Sequence, residues 1–246
     1  MRKKNYTLLI YENFKTLVGA LIIALLIRSL LFQPFYIPSS SMEPTLLIGD
    51  RIFVSKYAYG YSKHSFPFSP NFSNSRFFSK NPERGDLVVF KTPSDNRTDY
   101  IKRLIGLPGD TIQFINGDLF INAKKIQKVK TQNLNLIRCG TFNLETDTFT
   151  ETLPNGFEHL TVYKKKGSIK NTKIYKVPLN HFFLMGDNRD CSKDSRYLDS
   201  VGYVNATNLV GEAKIIFFSN DTVKSNLIKF WNLNKSFRLN RLFKKL

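Results

Sequence analysis

The chain is poor in the side chains that most often carry protein chemistry. Its 246 residues include only three histidines, two cysteines and one tryptophan. His64 falls in an irregular stretch, His159 in a loosely patterned one, and His181 opens a Phe-rich strand. Each reads as structural, so a Ser-His-Asp site is weakly supported. Cys139 and Cys191 match no CxxC or metal-ligand spacing. Pairing in an oxidising compartment and two separate thiols are both open. Acidic residues are scarce too, 19 against 37 Lys and Arg, for a net charge of +18. Such a charge attracts polyanions, and nucleic acid and anionic lipid both qualify. The cations are spread rather than gathered in one stripe, which tells against nucleic acid. Only the tail from Asp221 to Leu246 concentrates them, with seven Lys or Arg against one Asp. Beyond the N-terminal region, sustained helical periodicity and internal repeats are missing. A hydrophobic fraction of 42% excludes disorder, and 22 Phe with 11 Tyr favour a β-rich interior.

The apolar run from Leu17 to Phe32 stands apart. It is broken only by Arg28 and Ser29, and Arg2, Lys3 and Lys4 precede it. As a helix its sixteen residues span ~24 Å, slightly short of a ~30 Å hydrocarbon core. Arg28 can snorkel to an interface, and Phe14, Phe35 and Tyr36 can anchor the ends. The basic cluster assigns residues 1–16 to the cytoplasm, 17–32 to a transmembrane anchor and the remainder to the outside. A cleaved secretory signal is the alternative, because Ser39 and Ser41 form a small-x-small pattern. Those serines lie well beyond the run, however, and no Ala-x-Ala follows it.

Downstream, strand signals dominate. Tyr61 to Pro82 is an irregular Ser, Phe, Asn and Pro stretch. Its Phe66, Phe68, Phe72, Phe77 and Phe78 either pack onto the domain, the preferred reading, or touch the bilayer. Arg84 to Pro93 reads as a strand, and Asp99 to Phe114 as two strands about a Leu-Pro-Gly-Asp turn. A hairpin at Asn116-Gly117 follows, giving an antiparallel meander. Residues 124–175 loosen into a small inserted β lobe. His181 to Val204 holds a strand ending at Gly186 and a dense polar loop, and Leu209 to Phe218 is the last strand. The expected fold is mainly β: an antiparallel sheet domain, 33–220, with an inserted lobe, after one membrane helix and before a basic amphipathic tail, 221–246.

Chemistry concentrates in Ile37 to Gly60. Ser39, Ser40 and Ser41 lie between Pro38 and Pro44, which restrain the backbone around them. This is a seat for a nucleophile or a Ser-rich linker. With histidine scarce, a lysine can serve as base if burial lowers its pKa. Lys102 lies on a strand and shares by alternation the face of Tyr100 and Leu104.

Four segments sharpen this. SSSMEPTLLIGD, RGDLVVF, YIKRLIGLPGD and GDNRDCSKDSR occur in that order after the anchor. Together they resemble the serine, second, lysine and Gly-Asp-Asn-Arg boxes of the bacterial type I signal peptidases. The resemblance covers most of the chain outside 61–82 and 124–175. It implies that Ser41 is the nucleophile, Lys102 the general base, and Ser39 Oγ with the Ser41 N–H the oxyanion hole. It implies that Ser192 orients the lysine amine and that Asp194 with Arg196 forms a supporting pair. Pockets for small side chains, one and three residues before the cut, map onto Phe35, Ile37, Met42, Leu46, Ile52, Val89, Tyr100 and Ile101. Cys191 departs from the family's usual Asn, and Glu43 falls at a variable position. The implied activity is removal of signal peptides from exported preproteins, through an acyl-enzyme and without metal or organic cofactor. The implied setting is the inner membrane, with the N-terminus cytoplasmic and the catalytic domain outside. Preproteins and membrane lipid are the expected partners, and nucleic acid is not. A self-cleaving Ser/Lys repressor would carry a DNA-binding domain where this chain has its apolar run. A basic membrane-tethered binding protein, with the serines as mere loop, is the other competitor. The tail is expected along the membrane surface, with a solvated or domain-packed tail as alternatives.

Overall fold

The computed structural model describes residues 6–70, 75–140, 142–221 and 237–246. Arg2, Lys3, Lys4, Phe72 and residues 222–236 of the tail lie outside them. Helix α1 (Tyr6–Leu30) is followed by β1 (Phe32–Tyr36), β2 (Asp50–Ser55), β3 (Leu87–Lys91), β4 (Asp99–Gly106), β5 (Thr111–Ile115), β6 (Asp118–Ile121) and β7 (Lys124–Lys125). Then come β8 (Gln127–Cys139), β9 (Phe142–Thr152), β10 (Glu158–Lys164), β11 (Tyr175–Lys176), β12 (His181–Met185), β13 (Val204–Asn205), β14 (Leu209–Ser219) and β15 (Lys244–Lys245).

Within α1, the 21 residues Ile10–Leu30 are long and apolar enough to cross a membrane. At ~1.5 Å per residue they span ~31 Å, which matches a hydrocarbon core better than the shorter run read from hydropathy. The helix starts before the apolar run and ends before Phe32. Glu12 and Lys15 interrupt the apolar pattern without breaking the helix, and Phe32 already belongs to β1. Leu17, Leu21 and Leu25 are exposed, as lipid-facing side chains would be.

The main sheet is antiparallel and runs β1-β2-β14-β3-β4-β12-β13, with β15 also on β14. Strand β3 is buried on both faces. Leu87 and Val89 join Ile37, Met42, Leu46 and Ile52, while Val88 and Phe90 join Leu104, Phe182 and Leu184. That explains its near-continuous apolar run. The expected meander breaks after β4, which pairs with β12 rather than β5. Strand β5 opens a second sheet, β11-β5-β6-β7. The turn between them is fastened by the Asp110 side chain, which accepts from Leu107 N at 2.6 Å and pairs with Arg84 at 2.9 Å. The β5–β6 hairpin is as expected, with Asn116 and Gly117 both at positive φ, the mirror-image turn that suits strand twist. Residues 127–164 form a separate three-stranded sheet, β10-β9-β8. In the 61–82 stretch the packing expectation fails for Phe68 and Phe78, which are 103% and 85% exposed. Residues 237–246 pack onto the domain: Arg241 forks Asp50 at 3.1 and 2.6 Å and donates to Thr45 O at 2.8 Å. For those residues the membrane-surface expectation is replaced by the domain-packed alternative, because buried Asp50 supplies the countercharge.

Candidate active site

Ser41 sits on a single 3-10 turn, Ser40–Met42, and all three residues are buried. The polar loop after β12 braces that turn. Asn188 N donates to Ser41 O at 3.2 Å and Asn188 Nδ2 to Ser40 O at 3.1 Å. Gly186 makes the approach possible, since a Cβ there would lie 2.4 Å from Ser41 O and from the Ser192 side chain. From β4, Lys102 Nζ donates to Ser41 Oγ at 2.7 Å and to Ile101 O at 2.9 Å. Ser39 Oγ lies 3.3 Å from Ser41 Oγ.

Lys102 is 4% exposed. Burial disfavours its charged form and brings it from 10.5 down to about 8. Asp194 and Asp187 pull the other way, and Arg196 assists the burial. Both carboxylates are already engaged. Arg196 grips Asp194 through Nε at 2.7 Å and Nη2 at 2.8 Å, and Gly186 N adds a bond at 3.0 Å. Arg103 grips Asp187 through Nε at 2.8 Å and Nη2 at 2.7 Å, and Thr45 Oγ1 donates at 2.6 Å. Burial alone would raise each carboxylate, but its arginine and hydrogen bonds outweigh that and hold it below the ordinary range.

A cleft of about 410 Å³ opens beside Ser41 and Lys102. Seven of the eight residues expected at the pockets line it: Phe35, Ile37, Met42, Ile52, Val89, Tyr100 and Ile101. Leu46 does not. It is fully buried behind the cleft with Met42 and Ile52.

The family model described as signal peptidase, peptidase S26, matches residues 10–218. The chain belongs to the signal peptidase family. Among its relatives, signal peptidase I of Rickettsia typhi is 41% identical, over 96% of this chain and 93% of that protein. Signal peptidase I of Rickettsia akari is 42% identical, over 91% and 88%. A crystal structure of a signal peptidase I from Enterococcus faecalis V583 is 27% identical, over 54% of this chain and 97% of that one, with a TM-score of 0.33.

One expected contact of this family member is not made. Ser192 Oγ is buried without a hydrogen-bond partner of good geometry, and the lysine amine is satisfied by Ser41 and Ile101 instead. Ser192 packs against Gly186 and makes only a loose polar contact with Asp194. Several residues escaped the sequence reading. Tyr36, Pro38, Thr98, Asp99 and Lys193 also line the cleft. Arg103, Asp187, Thr45 and Asn188 hold the serine turn, and the signal for them was their position inside the quoted segments. Cys191 lines the cleft as well and is joined to Cys139 at the end of β8, which ties the inserted lobe to the site. His159 lies at 3.8 Å from Glu151 and 3.9 Å from Asp187, in a buried network with Arg189. Burial and neighbouring arginines lower it to about 4, against the pull of Asp187 and Glu151, so it is neutral.

Proposed function

We propose that this member of the signal peptidase family, a serine endopeptidase, removes signal peptides with Ser41 as nucleophile and Lys102 as general base. The observation that carries the reading is the 2.7 Å contact between the Ser41 hydroxyl and a buried amine held near 8. Neutral Lys102 takes the Ser41 proton as Oγ attacks the scissile carbonyl, then gives it to the leaving amine. The resulting ester on Ser41 is hydrolysed by a water that the same amine deprotonates. Ser39 Oγ and the Ser41 N–H steady the oxyanion, an effect of roughly 3–4 kcal/mol per donor in comparable sites. The apolar walls of the cleft, Ile37, Val89 and Ile101 among them, favour small side chains before the cut. Asp194 and Arg196 act at one remove by fixing Gly186, and Ser192 supports them by packing.

Eight residues lie between Phe32 and Ser41, so the nucleophile stays close to the end of α1. With α1 as a single span of the inner membrane, the N-terminus is cytoplasmic and the domain lies outside, where the end of a preprotein's apolar segment emerges. The chemistry needs no metal or organic cofactor. Ser41→Ala and Lys102→Ala variants, assayed on a preprotein, are expected to lose at least ~10³-fold in processing rate. Wild-type rates from either variant would refute the dyad.

A further inference from the structure

A second cavity, about 520 Å³, lies where α1 meets the domain. Arg28 borders it from the end of α1, Gln33 and Phe35 from β1, and Lys63 to Ser69 from the following loop. Lys91 and the 95–99 turn close the remaining side. Lys91 is paired with Asp99 at 2.9 Å, and Asp95 is taken up by Thr92, Thr98 and the N–H groups of Arg97 and Thr98. Arg28, Lys63 and Arg97 have no carboxylate partner among the described residues. Behind the wall, Lys56 is buried and its amine donates only to neutral oxygens, Gln33 Oε1 at 2.9 Å and His64 O at 3.2 Å. His64 is lowered to about 4, first by burial and then by Lys63, Lys91, Arg76 and Lys56. On the cavity walls the cations Arg28, Lys63, Lys91 and Arg97 thus outnumber the carboxylates Asp95 and Asp99.

Depth and surroundings narrow the choice of anion. Arg28 lies in the last turn of a 21-residue apolar helix, the level at which lipid headgroups begin. On the opposite face of β1 the same arginine borders a mainly apolar groove of about 830 Å³, lined by Ala24, Ile27, Phe32, Pro34, Phe53, Lys214 and Ile215. Phe68, fully exposed, stands on the rim of the polar cavity. A free phosphate would use only the cavity. A ligand with a phosphate head and an apolar tail reaches both by passing Arg28 at the edge of β1.

We propose that this junction is a phospholipid site, with the headgroup phosphate among Arg28, Lys63 and Arg97 and an acyl chain in the groove beside α1. The site rests on reading α1 as a membrane span and is independent of the Ser41–Lys102 assignment. The test uses the full chain in detergent micelles, titrated with dihexanoyl-phosphatidylglycerol below its micellar concentration and read by native mass spectrometry. One retained lipid is expected, and Lys63→Glu combined with Arg97→Glu is expected to weaken it about tenfold or more. Arg97→Gln alone, on an exposed turn, should cost about threefold. Processing of a soluble peptide by these variants is expected to stay within about twofold of wild type, which reports an intact fold. Unchanged lipid retention by the variants overturns the site. So does equal retention of dihexanoylglycerol, which lacks the phosphate. Inorganic phosphate that competes at the lipid's own concentration would overturn the lipid assignment in favour of a free phosphate.

Discussion

Replacing Lys102 by methionine tests the base through two quantities that one pKa must set together. The fall of the amine from 10.5 to about 8 means that its charged form costs the folded state about 3 kcal/mol. In the unfolded chain the amine titrates at its ordinary value. Between pH 8 and 10.5 the unfolded state therefore binds more protons, and stability rises with pH across that window. Below about pH 8 the full cost is present, and above 10.5 it is gone. Methionine is close in size and removes the charge, but it also deletes the bonds to Ser41 Oγ and Ile101 O, worth roughly 1 kcal/mol each. The variant is thus expected to be about 1 kcal/mol more stable than wild type at pH 7 and about 2 kcal/mol less stable above pH 10.5. At ~2–4 °C per kcal/mol, its Tm lies ~2–4 °C above wild type at pH 7 and ~4–8 °C below it at the high-pH end. Calorimetry in detergent micelles at both ends of the range measures the crossing. In parallel, wild-type kcat/KM on a preprotein should fall about tenfold per pH unit below about 8. A Tm difference that ignores pH, or a wild-type rate flat down to about pH 6, would refute the buried-base reasoning.

Three further outcomes follow from the buried contacts. Arg196→Met leaves Asp194 without its fork, so the carboxylate acts on Lys102 uncompensated and raises its pKa; the acid limb of kcat/KM should move to higher pH, and an unmoved limb would mean the pair is only structural. Cys139→Ser opens the bond that joins residues 52 apart, a loss of roughly 4 kcal/mol by chain entropy; reductant should lower the wild-type Tm and leave that of the variant unchanged. Arg241→Leu leaves buried Asp50 with Arg238 at 4.0 Å, Ser219 Oγ and Leu47 N as its remaining partners, at a cost of about 3 kcal/mol by denaturant unfolding; full stability in that variant would show that residues 237–246 do not clamp the domain.

The β character, the long apolar N-terminal helix and the hairpin at Asn116-Gly117 were legible because each is a local matter: composition, length of an apolar run, and a turn that needs positive φ. The start of α1 was not, since Glu12 and Lys15 lower hydropathy over one turn while costing a helix almost nothing. The path after β4 was missed for a different reason. A Leu-Pro-Gly-Asp turn looks the same whether its strands pair or part, and the deciding Arg84–Asp110 contact joins residues 26 apart. The cysteines carried no spacing signal because their partnership is purely tertiary, with Cα atoms 5.7 Å apart across 52 residues. Leu46 shows the limit of carrying pocket positions over one by one: beside the cleft in sequence, it is one layer too deep to line it. The docking of Arg241 on Asp50 was invisible for the same reason, since the tail's composition speaks of charge and not of a countercharge 191 residues away.

The buried charges around Ser41 explain how a lysine can stay weakly basic beside two carboxylates. Asp187 and Asp194 are both inside and both close enough to raise Lys102. Left unpaired, either would favour the charged form of the amine. Each is instead forked by its own arginine, Arg103 for Asp187 and Arg196 for Asp194, and Arg196 offsets part of their pull on the amine. Burial then decides the outcome. A methionine or leucine in place of either pair would satisfy the same volume but would give up the bonds to Gly186 and Thr45 that hold the serine turn. The arginines thus lock the loops that carry Ser41, and Arg196 also limits how far the carboxylates stabilise the charged form of the amine, which the proposed mechanism needs neutral.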